Sequence, residues 1–358
     1  MKGRIIRCSG INRLGAAMPM VTALAAVLLL SGCGGGTDSN RAAKVYEEFS
    51  GAAWHTEFHI KYALAEDKGD IETRRLNIER GVDSIFKAIE HSISPFDSRS
   101  LVARLNCNET DVEADVHLMA IFKMSQHINE ISDGAFDPTL GPLINLWGFG
   151  TTGTTDSVPD DSAVKIALQS VGIQECRIVN GRIIKKSPST EFNFSAIAKG
   201  YGVDVIAGYL RDNGATDYMV EVGGEISVAG ENSRGEKWQI QIDAPMAGDS
   251  LGLHTSLQRI ALSDCAVATS GNYRNYRTYS DGRTSGHTIS AKTGYPVHSE
   301  VRSATVIAPT CMVADALATS CMAMPAAAAL AMIEKTADAE CLLVTSDTTL
   351  VSSHFPLQ

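Results

Sequence analysis

The chain has 358 residues, of which 44% are hydrophobic and 20% charged, so it can bury a sizeable core and is not a disordered polypeptide. Its formal charge of −10 argues against nucleic acid as a partner, because such binding needs a basic face to neutralise phosphates.

The first 32 residues stand apart. Lys2, Arg4, Arg7 and Arg13 precede an apolar stretch from Leu14 to Leu30, which ends in Leu30-Ser31-Gly32-Cys33. A charged start, a short apolar run and small residues at its end are the pattern of a secretory signal. The stretch is short for a membrane span and contains Pro19. Its end resembles a bacterial lipobox, which implies that Cys33 becomes the lipid-modified first residue of an exported chain facing the periplasm. Gly34 stands where inner-membrane retention would need aspartate, which leans towards the outer membrane. Losing four cations with the leader takes the formal charge from −10 to −14. Residues 33–42, with Gly34-Gly-Gly-Thr-Asp-Ser-Asn40, read as a flexible tether. The remainder, 43–358, contains no Pro/Ser-rich linker and reads as one compact domain.

Thr56, Phe58, Ile60, Tyr62 and Leu64 are spaced by two, the period of a strand with one buried face. Ile71, Ile78, Val82, Ile85 and Ile89 recur at helical spacing, and a second helix is expected from about Val112 to Ile131. The run from Asp133 to Gly150 holds four glycines, two prolines and many large apolar side chains. It is too broken for a helix and too apolar for a surface loop, so it is expected to lie buried, either against a polar ligand or as a structural corner. Asp133, Asp137, Phe136 and Trp147 would give such a ligand polar and flat contacts. A third helix is predicted over 160–171, with Asp160 or Asp161 as N-cap and Gly172 as stop. Asn180-Gly181 between two β-branched runs signals a hairpin. A helix follows from Ile197 to Leu210, then strands near 218–222, 225–229, 238–242, 303–308 and 341–346, with helices over 312–324 and 326–336. Strands and helices mix without a regular βαβ repeat, which predicts an α+β fold.

Eight cysteines fall to six after loss of Cys8 and lipidation of Cys33, none has Cys-x-x-Cys spacing, and export would permit disulfides. Cys311 and Cys321 lie about 15 Å apart along one helix, too far to bridge. For Cys107, Cys176, Cys265 and Cys341 apolar neighbours favour buried thiols.

Asp315 lies in an otherwise small and apolar helix with Thr319 one turn later. Their oxygens suit a hard cation such as Mg²⁺; the alternative is a carboxylate capping a neighbouring loop. Phe192-Asn-Phe-Ser-Ala-Ile-Ala-Lys-Gly-Tyr201 passes from strand to helix with Ser195 as candidate N-cap, and the free N–H groups of such a helix start suit a phosphate. Lys199 in the first turn opposes the helix dipole unless an anion faces it; the plainer reading is a solvated lysine. Glu221-Val-Gly-Gly-Glu225 joins two strands through a glycine pair that a tight turn explains as well as a ligand does, Ala268-Thr-Ser-Gly-Asn-Tyr273 reads as a similar polar turn after a strand, and His287 as a possible base or a structural histidine.

Six of these segments, taken in order, resemble the FAD:protein FMN transferase family, the ApbE-type flavin-transferring lipoproteins. They are Ser94-Pro-Phe-Asp-Ser-Arg-Ser-Leu-Val-Ala-Arg-Leu-Asn106, the Gly134–Gly150 run, 193–201, Val222-Gly-Gly-Glu225, Ala268-Thr-Ser-Gly271, and Asp315 with Thr319. The resemblance covers about Ser50 to the C-terminus. It implies a single domain built on a mixed, largely antiparallel sheet with flanking helices. It implies transfer of FMN from FAD to a threonine or serine hydroxyl of an acceptor flavoprotein, such as a subunit of a membrane redox complex, with release of AMP. By position it implies that Ala135, Phe136, Asp137, Asn193, Lys199 and Ile289 contact FAD, with Phe96 stacking on it and Trp54 at an N-terminal contact. Mg²⁺ would be held by Asp315, Thr319 and the carbonyl of Ala196, with His287 as base. In that setting only Leu143, Trp147 and Phe149 of the buried run remain as packing residues behind the ligand.

Three positions depart from the family pattern: Ser290-Ala291 replaces Asp-Pro, Trp54-His55-Thr56 replaces Met-Gly-Thr, and Asn193 stands where many relatives carry Asp. Two other readings use the same residues. Water as nucleophile would make an FAD pyrophosphatase yielding FMN and AMP, and a lipid-anchored protein that only binds flavin would leave FAD intact.

Overall fold

The computed structural model describes residues 44–66, 70–153, 155–245, 256–271 and 276–357. The leader, Cys33, the tether, Asn272 and Tyr273 lie outside the described residues. The chain opens with β1 (Lys44–Ala53) and β2 (Thr56–Ala65), followed by helices α1 (Ile71–Ile93), α2 (Leu101–Asn106), α3 (Val116–Ile131), α4 (Gly141–Leu146) and α5 (Asp161–Leu168). A small hairpin, β3 (Arg177–Val179) and β4 (Arg182–Ile184), precedes α6 (Ala198–Asp212). Then come β5 (Tyr218–Val222), β6 (Glu225–Ala229), β7 (Trp238–Asp243), β8 (Ser256–Leu262), β9 (Cys265–Gly271), β10 (Tyr276–Thr278), β11 (Thr284–Gly286) and β12 (Val301–Ala308). Helices α7 (Cys311–Met322) and α8 (Ala326–Lys335) lead to β13 (Glu340–Thr345) and β14 (Thr349–Val351).

Eight strands form one sheet in the order β1-β2-β5-β6-β9-β12-β13-β14, and every ladder in it is antiparallel. The α+β expectation therefore holds, with an antiparallel sheet and flanking helices. Alternation along the strands assigns their faces. On one face Ile60, Tyr62, Val220 and Val222 meet α1 and α6, while Ala304, Val306 and Leu343 meet α7. On the other, Val267, Ile307 and Leu342 pack under the β7–β8 ribbon through Trp238, Ile240 and Ile260. A satellite cluster of Leu140, Leu143, Trp147, Val164 and Ile289 lies beneath α4 and α5.

Caps account for the helix starts. Asp70, Ser100, Asp115, Asp160 and Thr310 each accept a first-turn N–H, and Asp160 is the cap expected of the third predicted helix. Asn180 and Gly181 both have positive φ, as a two-residue hairpin turn requires. Two expectations need correction. The 133–150 run does contain a helix, α4, because its breakers sit at helix ends: Pro142 occupies the first turn, where a missing N–H costs nothing, and Gly148 follows the last turn at φ +77°. Ser195 is not the N-cap of α6: the backbone turns once more, Ile197 takes the cap position without a side-chain bond, and Ser195 is exposed. Cys311 and Cys321 do not pair with each other, as expected; Cys176 and Cys341 are buried free thiols as expected, but Cys265 is only half-buried and Cys107 is exposed because it ends the short surface helix α2.

Candidate active site

A cavity of about 950 Å³ opens where the end of α3, the start of α6, the β5–β6 turn, the end of β9, the β10–β11 region and α7 come together. This is at the upper end of the usual ligand-pocket range, roughly 300–1,000 Å³. Eleven residues singled out above line it: Phe96, Ala135, Phe136, Asp137, Asn193, Ala196, Lys199, His287, Ile289, Asp315 and Thr319.

The 135–137 wall is built by α3 folding back on itself. Asp133 and Gly134 both take positive φ, Ser132 Oγ accepts the Phe136 N–H, and Asn129 Nδ2 donates to the Phe136 carbonyl at 2.6 Å. The buried Asp137 carboxylate accepts from the Thr139 N–H (2.8 Å) and hydroxyl (2.5 Å), the Ile173 N–H (3.1 Å) and Asn129 Nδ2 (3.4 Å). Burial pushes its pKa up, and these donors pull it back. Its charge is thus occupied in holding the wall. Asp133 does not line the cavity; it is exposed and pairs with Lys292 at 2.6 Å. Trp147 and Leu143 are core, with Trp147 Nε1 donating to the Gly294 carbonyl at 2.9 Å, whereas Phe149, expected behind the site, lines the cavity beneath the Arg277 guanidinium.

Asn193 is fixed by its N–H to the Pro138 carbonyl (2.7 Å) and accepts the Ser195 N–H at Oδ1 (3.0 Å). The following turn brings Ala196 and Lys199 to the cavity. The anion that Lys199 needs is Glu225, the first residue of β6, and the two form an ion pair. Burial opposes the Lys199 charge, but Glu225 and Asp315 hold its pKa above the ordinary value. Burial pushes the Glu225 and Asp315 carboxyls up, with Lys199 pulling both down and the Gly200 N–H helping at Asp315.

Asp315 and Thr319 face the cavity from successive turns of α7. Gly200 N–H donates to Asp315 Oδ2 at 3.0 Å, and no protein donor reaches Oδ1 among the described residues. Thr319 Oγ1 lies 3.2 Å from Ser270 Oγ. A carboxylate, a hydroxyl and the Ala196 carbonyl are all hard oxygen donors, so the set fits Mg²⁺ completed by water or phosphate oxygens. Among the described residues no cluster of three or more His, Cys, Asp or Glu is arranged for a metal.

His287 is half-buried after β11, and Ile289 is buried beside it. Phe96 stands at the rim, 60% exposed, on a loop shaped by Ser94 Oγ accepting its N–H and by Ser100 Oγ donating to the Ser94 carbonyl. Trp54 does not line this cavity. Its indole packs edge-on to Phe86 and against Gly202, with Nε1 donating to the Phe86 carbonyl at 3.3 Å. At Ser290-Ala291, Ser290 Oγ accepts the Thr293 N–H at 3.2 Å and so caps the turn itself.

Sequence reasoning did not assign Glu225, Ser270, Tyr276 or Arg277 to the site, yet all four line it. The Gly-Gly-Glu and Ala-Thr-Ser-Gly motifs carried a signal for the first two; isolated residues of a short strand carried none for the others.

The ApbE family model matches residues 54–343. The chain is 35% identical to the FAD:protein FMN transferase of Vibrio cholerae over 316 residues, covering 88% of this chain and 90% of the relative. It is 31% identical to that of Haemophilus influenzae over 339 residues, covering 93% and 94%. Among solved structures it is similar to the flavin transferase ApbE from Vibrio cholerae, with a TM-score of 0.75 at 32% identity, covering 87% of this chain and 98% of that one. The apo flavinyl transferase ApbE of Pseudomonas stutzeri gives a TM-score of 0.76 at 28% identity, covering 87% and 95%.

Proposed function

The chain belongs to the ApbE family, and from that premise we propose that it is an FAD:protein FMN transferase acting through the cavity described above. The observation that carries this reading is the meeting, in one cavity, of an oxygen donor set on α7, a Lys–Glu ion pair with its glutamate buried, and aromatic surfaces. A dinucleotide diphosphate can use all three.

In the proposed reaction an acceptor threonine or serine hydroxyl attacks the FMN-side phosphorus of FAD. The new O–P bond forms as the pyrophosphate P–O bond breaks, AMP departs, and the hydroxyl proton passes to His287. Bound Mg²⁺, held by Asp315, Thr319 and the Ala196 carbonyl, would supply charge neutralisation at the diphosphate. Lys199 adds positive charge on the same wall, and Phe96 and Phe149 offer flat faces to a ring system. Acceptors would be flavoproteins, including subunits of membrane redox complexes. Export and a lipid at Cys33 would hold the enzyme at the membrane on the periplasmic side.

The test is incubation with FAD and Mg²⁺, with and without candidate acceptors, followed by mass spectrometry. FMN covalently added to a threonine or serine supports transfer. Free FMN and AMP with unmodified acceptor would mean hydrolysis, and unaltered FAD would mean a binding protein.

A further inference from the structure

Helices α6 and α7 are joined by two reciprocal backbone-to-carboxylate clamps. In one, the Gly200 N–H of α6 donates to Asp315 Oδ2 of α7 at 3.0 Å. In the other, the Cys311 and Met312 N–H groups of α7 donate to Oδ1 and Oδ2 of Asp204 on α6, both at 2.8 Å. Gly200 and Asp204 are four residues apart on one helix, Cys311 and Asp315 four apart on the other, so the clamps bracket about one turn, roughly 6 Å. Between them the helices touch: a Cβ on Gly200 would lie 2.3 Å from the Cys311 carbonyl oxygen and 2.8 Å from Asp315 Cβ.

We infer that Asp204 is a positioning residue for the transfer reaction, fixing the axial register of α7 and thereby the placement of Asp315 and Thr319 at the cavity. This rests on the reading of those two residues as cation ligands. Close contact at Gly200 sets the distance between the helices, and the single Gly200–Asp315 hydrogen bond ties α7 at one point through a side chain that can swing, so it restrains sliding and rotation of α7 only weakly. Thr310, its own N-cap, travels with α7 and restrains neither. Asp204 is anchored in a different helix and takes two successive N–H groups, one on each oxygen, so either motion breaks at least one of its bonds. A slip of one residue would move the ligands by about 1.5 Å and turn them by about 100°. Mg²⁺ demands near-ideal octahedral geometry at about 2.0–2.1 Å, so even a fraction of that displacement spoils the donor set. First-turn N–H groups of a helix can be satisfied by its own cap or by water. A carboxylate from the neighbouring helix that carries Lys199 adds what those cannot: a two-point tie that, with the Gly200–Asp315 bond, fixes the relation between the Lys199 side of the cavity and the cation side.

The experiment compares the wild-type protein with Asp204→Asn, which keeps the shape but turns one acceptor into a donor facing an N–H. Mg²⁺ binding is titrated calorimetrically in the presence of FAD, the thermal shift caused by Mg²⁺ is recorded, and the Mg²⁺ concentration for half-maximal transfer is measured. The expected result is a Mg²⁺ affinity lowered roughly tenfold, a smaller Mg²⁺-linked thermal shift, and transfer largely restored at saturating Mg²⁺. A lower melting temperature with Mg²⁺ affinity changed by less than about threefold would show a purely structural role and overturn the inference. Should Asp204→Asn fail to fold, Asp204→Ser, which keeps one acceptor, is read by the same criteria. Asp315→Ala is the control: if it leaves Mg²⁺ binding intact, the cation-site reading fails, whereas loss there with no change at Asp204 sinks this inference alone.

Discussion

Lys199 and Glu225 form an ion pair on the cavity wall, with the glutamate side chain 3% exposed and the lysine side chain 33% exposed. Removing one partner of such a pair leaves the other desolvated and uncompensated. Lys199→Met is therefore expected to lower stability by about 2 kcal/mol, discounted for the partial exposure of the lysine side chain, and Lys199→Met with Glu225→Gln to recover part of that loss. Urea unfolding of the two variants checks this; equal losses in both would mean that the pair is uncoupled.

Asp315→Ala should reduce FMN transfer by at least about two orders of magnitude at ordinary Mg²⁺, while Asp315→Glu, longer by one methylene, should retain a measurable fraction at high Mg²⁺. Full activity in Asp315→Ala would remove it from the chemistry.

If His287 takes the hydroxyl proton, His287→Ala should lower kcat for transfer by roughly 10²- to 10⁴-fold with little change in FAD affinity. Rapid-quench kinetics and an FAD titration on the same variant separate the two. A loss confined to FAD affinity would make His287 a binding residue.

Asp217 clamps β1 to the start of β5 through Lys44, and also accepts from the Glu231 N–H and the Thr216 hydroxyl. Burial raises its pKa, but Lys44, Glu231 and Thr216 outweigh it and hold the carboxyl below the ordinary value. A depressed carboxyl contributes stability that is present above its unfolded pKa and lost as pH falls through the folded one. Asp217→Asn should therefore cost about 2 kcal/mol at pH 7, and the gap to wild type should close below about pH 4. Denaturant midpoints of both proteins between pH 3 and 7 measure this, and a gap that stays constant in acid would contradict it.

The β1–β2 turn places Trp54 at φ +50° and His55 at φ +63°, in the left-handed region. His55→Gly should relieve that conformation and raise stability by about 0.5 kcal/mol after the added freedom of the unfolded chain is counted. A thermal melt of the variant decides the sign.

What the chain disclosed about its own fold depended on how strongly each element contrasts its faces. Strand β2 and helix α1 alternate sharply between core and solvent and were legible to within a few residues. Strand β1 lies at the sheet edge, is only half-buried along its length and ends in Ser-Gly-Ala-Ala, so it carries no such contrast. Strand β9 was misread at its end as a polar turn: Ala268 to Gly271 pair with β12, and their small side chains leave room for α7 to bring Thr319 within 3.2 Å of Ser270. Helix α4 was hidden because glycine and proline were counted without regard to position. At the site, residues embedded in motifs were found, whereas Arg277 becomes visible only when folding lays it over Phe149.

The hydrogen bonding of Asp137 bears on selectivity. With its oxygens committed to Thr139, Ile173 and Asn129, the 135–137 wall offers an incoming molecule contour rather than a counter-ion. Ligands that differ in outline against this wall are expected to be told apart more sharply than ligands that differ only in their hydrogen-bond donors there. The wall is thus a gauge of shape, and the sorting of ligands by charge falls to the other charged residues that line the cavity, Lys199, Glu225, Arg277 and Asp315.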